Sequence, residues 1–485
     1  MRKSGILMHI STLPGDWSCG SFGAEAISFV DFLSDAGFSM WQTLPFNWPD
    51  VNGSPYKSLS GFAGNPFFID LPTLFKKGLI TAAELSGAKQ ESPYLCEYER
   101  LFKERLTLLM KAASRVPEKQ RADIDARIRE MSEIYNFCRF MTARGGSAAN
   151  GDNANGDNKC TCASELLFAH EFIQYEFLEE WLAVKAYANS KGIEIIGDIP
   201  IYTDLDSADV WAHPEAFMLD PETGKPTAVA GVPPDYFAKD GQLWGNPLYN
   251  WDNMKADGFS WWKARIRHQL TLFDGVRIDH FRGFSAFWAV PAGAATAKEG
   301  RWVKGPGKEF VEELKKEAGD RLIIAEDLGD IDDDVRKLLR DTGLPGMRVF
   351  QFAFLSDENP HLPHNYPENV VAYSGTHDNN TLLGYIFDMS DSDRARMLDY
   401  IGYPGQDGKY ACPYVIKTLM RSAAERVIFP IQDLLEYGMD TRMNTPGKAA
   451  GNWAIRFTKE QLALIDRAYW KRQNGMYGRG EDSEF

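Results

Sequence analysis

The chain has 485 residues, of which 44% are hydrophobic and 25% charged, as in globular proteins with a large core. Its net charge of −15, with no basic tract, argues against nucleic acid or an anionic membrane as the main partner. No apolar run approaches the roughly 20 residues of a membrane span, and the apolar stretch near the N-terminus is too short for a signal peptide. We therefore expect a cytoplasmic protein without a membrane partner.

The six cysteines are too few and too scattered for a disulfide framework in a chain of this size. Cys160 and Cys162 form a C-x-C pair with no second pair nearby, which favours free thiols over a zinc site. The polar tract 145–159 repeats Asn-Gly-Asp but lacks the spacing and the terminal Glu of a calcium-binding loop. It is predicted to be a disordered loop, and no metal site is expected.

The first third of the chain predicts the start of a parallel sheet and then a large insertion. Strands are predicted at residues 5–10 and 38–45, with a helix at 24–36 between them. The loop that follows is rich in turn residues and aromatic rings, among them Tyr56, and long loops of this kind are often functional. Residues 1–73 are therefore expected to begin the fold, and 74–191 to form a mainly helical insertion.

The third strand is predicted at residues 193–202, after a helix that ends at Gly192, and it carries Asp198 near its tip. Helix, glycine, apolar strand and acid form the repeating unit of a parallel barrel. The next segment, 203–258, has an irregular pattern that is rich in rings and turns. We predict a substrate lid or groove wall there, with Trp244, Asn246 and Tyr249 as substrate contacts, although the rings could also pack in the core.

The remaining strands are predicted in order along the rest of the chain. Eight candidates in sequence fit an α/β fold, a (β/α)8 barrel with helical and loop insertions. Residues 192–472 would complete the barrel, and 473–485 would form a flexible tail. The five later strands are predicted at 273–279, 322–326, 347–354, 370–378 and 427–433.

Three acids stand at the ends of predicted strands: Asp279, Glu326 and Asp378. The carboxyl ends of barrel strands converge on one pocket, so these acids can share a site. Crowded carboxyl groups split their pKa values, which leaves one protonated and another ionised, as glycosidic-bond chemistry requires. Arg277 precedes Asp279 by two residues, faces the same side of the strand and can keep that carboxylate ionised. We therefore predict Asp279 as nucleophile, Glu326 as general acid/base and Asp378 as the group that orients substrate hydroxyls.

Two histidines, His280 and His377, adjoin predicted catalytic acids. Each could be a buried, hydrogen-bonded histidine or a donor to sugar hydroxyls. Metal ligation is the weaker interpretation, because no His-x-x-x-His or three-ligand cluster is present. Asp198 could either support the site or contact substrate directly, and Tyr56 is predicted to contact substrate.

With these segments in view, the sequence resembles glycoside hydrolase family 77, the 4-α-glucanotransferases of the α-amylase clan. The resemblance covers almost the whole chain. Its most specific piece is 231–249, which is similar to the family's flexible loop over the active site and is not shared with ordinary amylases. Further matching segments are 4–7, 54–56, 197–202, 206–211 and 442–447.

The resemblance implies that Asp279 is the nucleophile, Glu326 the acid/base and Asp378 the third acid, with Arg277, His377 and Asp198 around the sugar. It implies retaining transfer of α-1,4-glucan segments to the 4-OH of an acceptor through a covalent glycosyl-enzyme, without cofactor or metal. The departures lie at the periphery. They are the tract 145–159, Glu180 before Trp181 where a Gln-Trp pair is common, and Thr203-Asp204 after the third strand.

Two alternatives stay open beside transfer. A hydrolase on the same scaffold differs only in whether water or a sugar reaches the intermediate, and the covering loop 231–249 favours transfer because it would exclude water. A carbohydrate-binding protein without turnover would explain the rings but not three acids at strand ends.

Overall fold

The fold is described from a computed structural model, which covers residues 2–148, 163–234, 239–356, 359–448 and 450–480. Its strands fall into two sheets. The strands are β1 (Lys3–Leu7), β2 (Met40–Gln42), β3 (Glu194–Ile199), β4 (Ala228–Val232), β5 (Gln242–Pro247), β6 (Gly275–Ile278), β7 (Ala286–Pro291), β8 (Arg301–Lys304), β9 (Leu322–Ala325), β10 (Gly346–Val349), β11 (Val370–Tyr373) and β12 (Arg426–Pro430).

The larger sheet is a parallel barrel of eight strands in the order β10-β11-β12-β1-β2-β3-β6-β9. The seam between β9 and β10 has no regular ladder. There the Ala325 N–H donates to the Pro345 carbonyl at 2.9 Å, and the Met347 N–H donates to Asp327 Oδ1 at 2.6 Å. A side chain thus completes the ring, and the predicted (β/α)8 barrel is confirmed.

Alternate residues of the barrel strands form their own buried cluster, as expected for a barrel interior filled by side chains. Several strands are shorter than the apolar runs that predicted them. The run 347–354, for example, is a strand only to Val349 and continues as a 3-10 turn, Phe350–Phe352. The interior members of this cluster on the strands are Leu7, Met40, Ile196, Ile324, Met347, Val349, Val371, Tyr373 and Ile428.

Helices surround the barrel and fill the insertion between β2 and β3. They are α1 (Ala24–Asp35), α2 (Leu71–Lys76), α3 (Ala82–Gly87), α4 (Tyr98–Arg100), α5 (Leu106–Ser114), α6 (Glu118–Arg129), α7 (Ser132–Ala148), α8 (Ala163–Ser190), α9 (Ala208–Ala212), α10 (Trp251–Ala256), α11 (Ser260–Leu272), α12 (Gly307–Ala318), α13 (Asp333–Thr342), α14 (Leu382–Asp388), α15 (Asp391–Tyr400), α16 (Cys412–Arg421), α17 (Ile431–Leu434), α18 (Lys459–Leu462) and α19 (Arg467–Met476). Within the described ranges, no helix is long and apolar enough to cross a membrane.

Two predicted flexible segments are partly ordered. Helix α7 runs to Ala148, so the first residues of the tract 145–159 are helical, and its remainder lies outside the described residues, as do Cys160 and Cys162. The predicted tail is wrong for residues 473–480, because Asn474 and Arg479 are buried. Residues 481–485 lie outside the described ranges.

The predicted lid segment contains regular structure that the sequence pattern did not reveal. Strands β4 and β5 pair antiparallel, and β4 also pairs with β7, which pairs with β8, in the order β5-β4-β7-β8. The irregular pattern predicted for all of 203–258 is therefore wrong for these strands. Strand β4 pairs with β7, which comes about 60 residues later in the chain, so no local periodicity predicts the sheet.

Candidate active site

A cleft of about 490 Å³ opens at the carboxyl ends of the barrel strands. Asp279 directly follows β6, and Glu326 directly follows β9, so the barrel geometry brings together acids that are distant in sequence. The predicted site residues that line this cleft are Tyr56, Trp244, Asn246, Asp279, His377 and Asp378.

Arg277 joins two carboxylates beneath the cleft. Its Nη1 donates to both carboxylate oxygens of Asp198 at 2.8 Å, and its Nη2 donates to Asp279 Oδ1 at 2.9 Å. Although burial lowers the pKa of Arg277, the carboxylates of Asp198 and Asp279 hold it well above the usual range. The Tyr56 hydroxyl donates to Asp198 Oδ2 at 2.6 Å. Asp198 and Arg277 are both buried and do not line the cleft, so they support the site rather than form its surface.

Glu326 is held by the backbone next to Asp279. The His280 N–H donates to its Oε2 at 2.7 Å and the Leu328 N–H to its Oε1 at 3.1 Å. Burial, with the Asp279 carboxylate nearby, raises the pKa of Glu326 from 4.5 to about 8 in spite of the Arg277 guanidinium. The carboxyl group is therefore protonated at neutral pH, whereas Asp279 holds an ion pair with Arg277.

His280 lies in the turn after Asp279 and contacts both Glu326 and Trp244. Its φ of 49° lies in the left-handed region, which non-glycine residues adopt rarely and mostly where the surroundings enforce it. That conformation directs the N–H of His280 to Glu326. The Trp244 ring meets the imidazole edge-on at 4.8 Å. Burial lowers the pKa of His280 to about 4, so the ring is neutral at pH 7.

Asp378 also lines the cleft, and its side chain is 45% exposed. Its Oδ1 accepts from Asn444 Nδ2 at 2.6 Å and lies 3.3 Å from His377 Nε2. The His377 ring stacks on Tyr56, with centroids 5.1 Å apart and planes 18° apart. This stack links the loop of Tyr56 to the end of β11.

The comparisons with known proteins agree with this geometry. The sequence model of a family described as 4-alpha-glucanotransferase matches residues 8–462. The chain belongs to the 4-α-glucanotransferase family. The predicted family membership and enzyme class are thereby confirmed.

Relatives named 4-alpha-glucanotransferase resemble this family member over nearly its whole length. The protein of Thermus thermophilus is 42% identical over 95% of this chain and 96% of its own, and that of Synechocystis is 41% identical over 95% of each. An amylomaltase of Streptococcus agalactiae, solved in complex with acarbose, superimposes with a TM-score of 0.92 at 38% identity, covering 99% of this chain and 100% of its own.

Tyr249, which was also predicted to contact substrate, does not reach the cleft of this glucanotransferase either. Tyr249 is only 1% exposed, its hydroxyl donates to the Ile201 carbonyl at 2.8 Å, and its ring lies 5.8 Å from that of Tyr202. The prediction for Tyr249 is therefore wrong, because the ring packs under the cleft wall. Asn246 does line the cleft, where its side chain also donates to the Thr203 carbonyl at 2.9 Å.

Three site residues were not predicted individually. Asn444 binds the Asp378 carboxylate, Arg442 donates to the Asp378 carbonyl, and Trp453 lines the cleft beside Tyr56. For Arg442 and Asn444 the only signal was that the segment 442–447 resembles the family, and Trp453 lies outside that segment. Nothing in its local pattern connects it with an acid more than 60 residues earlier.

No group of three or more His, Cys, Asp and Glu side chains that could hold a metal ion is found in the described part of the chain. The cysteines described there, Cys19, Cys96, Cys138 and Cys412, are free and buried.

Proposed function

We propose that the protein transfers α-1,4-glucan segments from a donor maltooligosaccharide to the 4-OH of an acceptor glucan or glucose, with retention of configuration. The observation that carries this proposal is the contrast between two neighbouring carboxyl groups. Asp279 is ion-paired with Arg277, whereas Glu326 keeps its proton because burial raises its pKa to about 8. One ionised and one protonated carboxyl group are what retaining glycoside chemistry uses.

In the first step, the Asp279 carboxylate attacks the anomeric carbon and the bond to the leaving oxygen breaks. Glu326 gives its proton to that oxygen, so the shortened glucan leaves as a neutral alcohol. Arg277 orients the attacking carboxylate by its hydrogen bond to Oδ1, which leaves Oδ2 for the sugar. The product of this step is a glycosyl ester on Asp279 and an ionised Glu326.

In the second step, the 4-OH of an acceptor attacks the same anomeric carbon and releases Asp279. Glu326, now a carboxylate, takes the proton of that hydroxyl and returns to its starting state. The backbone N–H groups of His280 and Leu328 donate to Glu326 and stabilise its charged form between the two steps. The cycle is thus closed without a cofactor.

The wall residues suit a glucan chain. Asp378 offers a partly exposed carboxylate to sugar hydroxyls, and His377 lies beside it. Tyr56, Trp244 and Trp453 line the cleft with rings that can pack on the apolar faces of glucose units. We assign Asp378 to binding hydroxyls and to stabilising the oxocarbenium-like transition state.

Maltotriose tests transfer against hydrolysis, the second candidate function. We expect glucose together with a ladder of longer maltooligosaccharides, at a constant number of reducing ends. Glucose and maltose alone, with rising reducing ends, would identify a hydrolase. A Glu326→Gln variant that binds glucans while the wild type turns nothing over would identify a binding protein. A cytoplasmic location and the insertion boundaries 74–191 stay predictions from the sequence.

A further inference from the structure

The four-stranded sheet contacts the turn that follows the candidate nucleophile at two separate points. At one edge, Trp244 of β5 meets His280 at 4.8 Å. At the opposite edge, Trp302 of β8 covers Arg282, whose guanidinium carbon lies 3.8 Å from the ring centroid. The sheet therefore spans the short segment from His280 to Arg282.

Arg282 is an unusual buried cation. It is 5% exposed, and its Nη2 donates to Asp332 Oδ2 at 2.6 Å. Its Nε and Nη1 are buried and find no hydrogen-bond partner among the residues that the structure describes. The Trp302 ring is therefore the main favourable contact for the part of the guanidinium that lacks hydrogen bonds. Such a cation–π contact is stronger when the cation is removed from water.

The backbone just after β8 packs against the end of the same turn, at Phe284 and Ser285. The Gly305 N–H donates to the Ser285 carbonyl at 2.8 Å. A Cβ at Gly305 would lie 2.4 Å from the Phe284 carbonyl oxygen, so only glycine allows this approach. Strand β7 also begins two residues after Phe284, which ties the sheet covalently to the turn.

We propose that Arg282 and Trp302 are positioning residues that seat the four-stranded sheet on the turn after Asp279 and thereby set how well Trp244 keeps water from the glycosyl intermediate. This inference rests on the proposed transfer function. The competing step is hydrolysis, in which a water oxygen bonds to the anomeric carbon, the ester bond to Asp279 breaks, and the water proton passes to Glu326. A displaced sheet opens this route without changing the acids.

The test measures the fraction of turnovers that end in water, as new reducing ends per glucose released from maltotriose. In Trp302→Leu we expect this fraction to rise about threefold or more, because the cation–π contact is lost. Arg282→Lys should act in the same direction, and Trp302→Phe, which keeps a ring, should lie near wild type. The matched control is Trp211→Leu, since Trp211 is 45% exposed and has Arg139 at 5.4 Å but lies outside the cleft.

Several outcomes overturn the inference. One is a wild-type partition in Trp302→Leu and Arg282→Lys. Another is an unchanged partition with a raised KM for a glucose acceptor in Trp302→Leu alone, which would make Trp302 an acceptor contact. If Trp302→Leu does not fold, Arg282→Lys and Trp302→Phe are compared instead. An equal hydrolysed fraction in these two variants would overturn the inference. A wild-type enzyme that produces no oligosaccharide ladder would instead refute the proposed function itself.

Discussion

Arg277 and Asp279 lie two residues apart on β6 and the turn after it, and the guanidinium Nη2 donates to the carboxylate at 2.9 Å. The same guanidinium binds Asp198 through its other nitrogen. The candidate nucleophile is thus oriented by a cation that is itself fixed from the neighbouring strand β3. The hydrogen bonds of Arg277 therefore couple the position of Asp198 on β3 to the orientation of the Asp279 carboxylate.

Replacing Arg277 by Lys tests whether these hydrogen bonds orient Asp279. Lysine keeps the charge but cannot bridge two carboxylates with a planar fork. We expect kcat on maltotriose to fall about 100-fold, because an oriented electrostatic contact at the reacting group is lost. Arg336→Lys, at an exposed arginine, is the control. A kcat within about threefold of wild type would show that Arg277 does not orient the nucleophile.

The raised pKa of Glu326, about 8, predicts the alkaline limb of the pH profile. The proposed general acid Glu326 works only while protonated, so kcat/KM should fall as pH rises through about 8. Burial raises this pKa most, then the Asp279 carboxylate, and the Asp327 carboxylate raises it further. Asp327→Asn should therefore move the limb to lower pH. A limb that does not respond to Asp327→Asn would contradict the contribution of Asp327 to this pKa.

The same pKa has a consequence for stability. The folded protein binds the Glu326 proton more tightly than the unfolded chain, whose carboxyl titrates near 4.5. This contribution is fully present below that pH and is lost as pH rises through about 8. The free energy of unfolding should decline over this window more in wild type than in Glu326→Gln. Urea unfolding at several pH values measures the difference, and equal declines would contradict the assignment.

Removing the hydroxyl of Tyr56 or of Tyr249 distinguishes a residue of the site from a residue that only packs in the core. In Tyr56→Phe the hydroxyl bond to the Asp198 carboxylate is lost, and we expect kcat/KM to fall about 10-fold. In Tyr249→Phe the lost bond to the Ile201 carbonyl should lower the free energy of unfolding by about 1 kcal/mol without changing kcat/KM. A kcat/KM loss in Tyr249→Phe as large as that in Tyr56→Phe would restore Tyr249 to the site.

Arg479 tests the corrected C-terminal segment. Its guanidinium donates to the carbonyls of five residues, so removing it leaves several acceptors unpaired at the base of β1 and β12. Arg479→Ala should lower the free energy of unfolding by about 3 kcal/mol or more. Arg472→Ala, which changes an exposed arginine of α19, is the control. Equal Tm values for the two variants would support the flexible tail. The acceptors are carbonyls of Lys3, Met420, Ser422, Ala424 and Glu425.

The sequence alone was sufficient to predict the barrel and to place Asp279 and Glu326 at the carboxyl ends of its strands. Apolar strands that alternate with helices predict parallel pairing, and the carboxyl ends of such strands meet on one face. Asp279 and Glu326 follow their strands directly, so their meeting needs no detail of packing. The spacing of Arg277 and Asp279 also fixes a shared strand face, which the ion pair reflects.

Only the tertiary structure decided which rings face the cleft and which groups lie behind it. Trp244 and Tyr249 stand five residues apart in one ring-rich segment, yet Trp244 lines the cleft and Tyr249 is buried. Trp244 lies on β5, which is joined through β4 to β7, about 60 residues later in the chain, whereas Tyr249 lies beyond β5 and packs on Tyr202. Asn444 reaches Asp378 in the same way. Periodicity reports which residues are apolar and how they repeat, whereas burial and partnership depend on chain segments that meet only in the folded state.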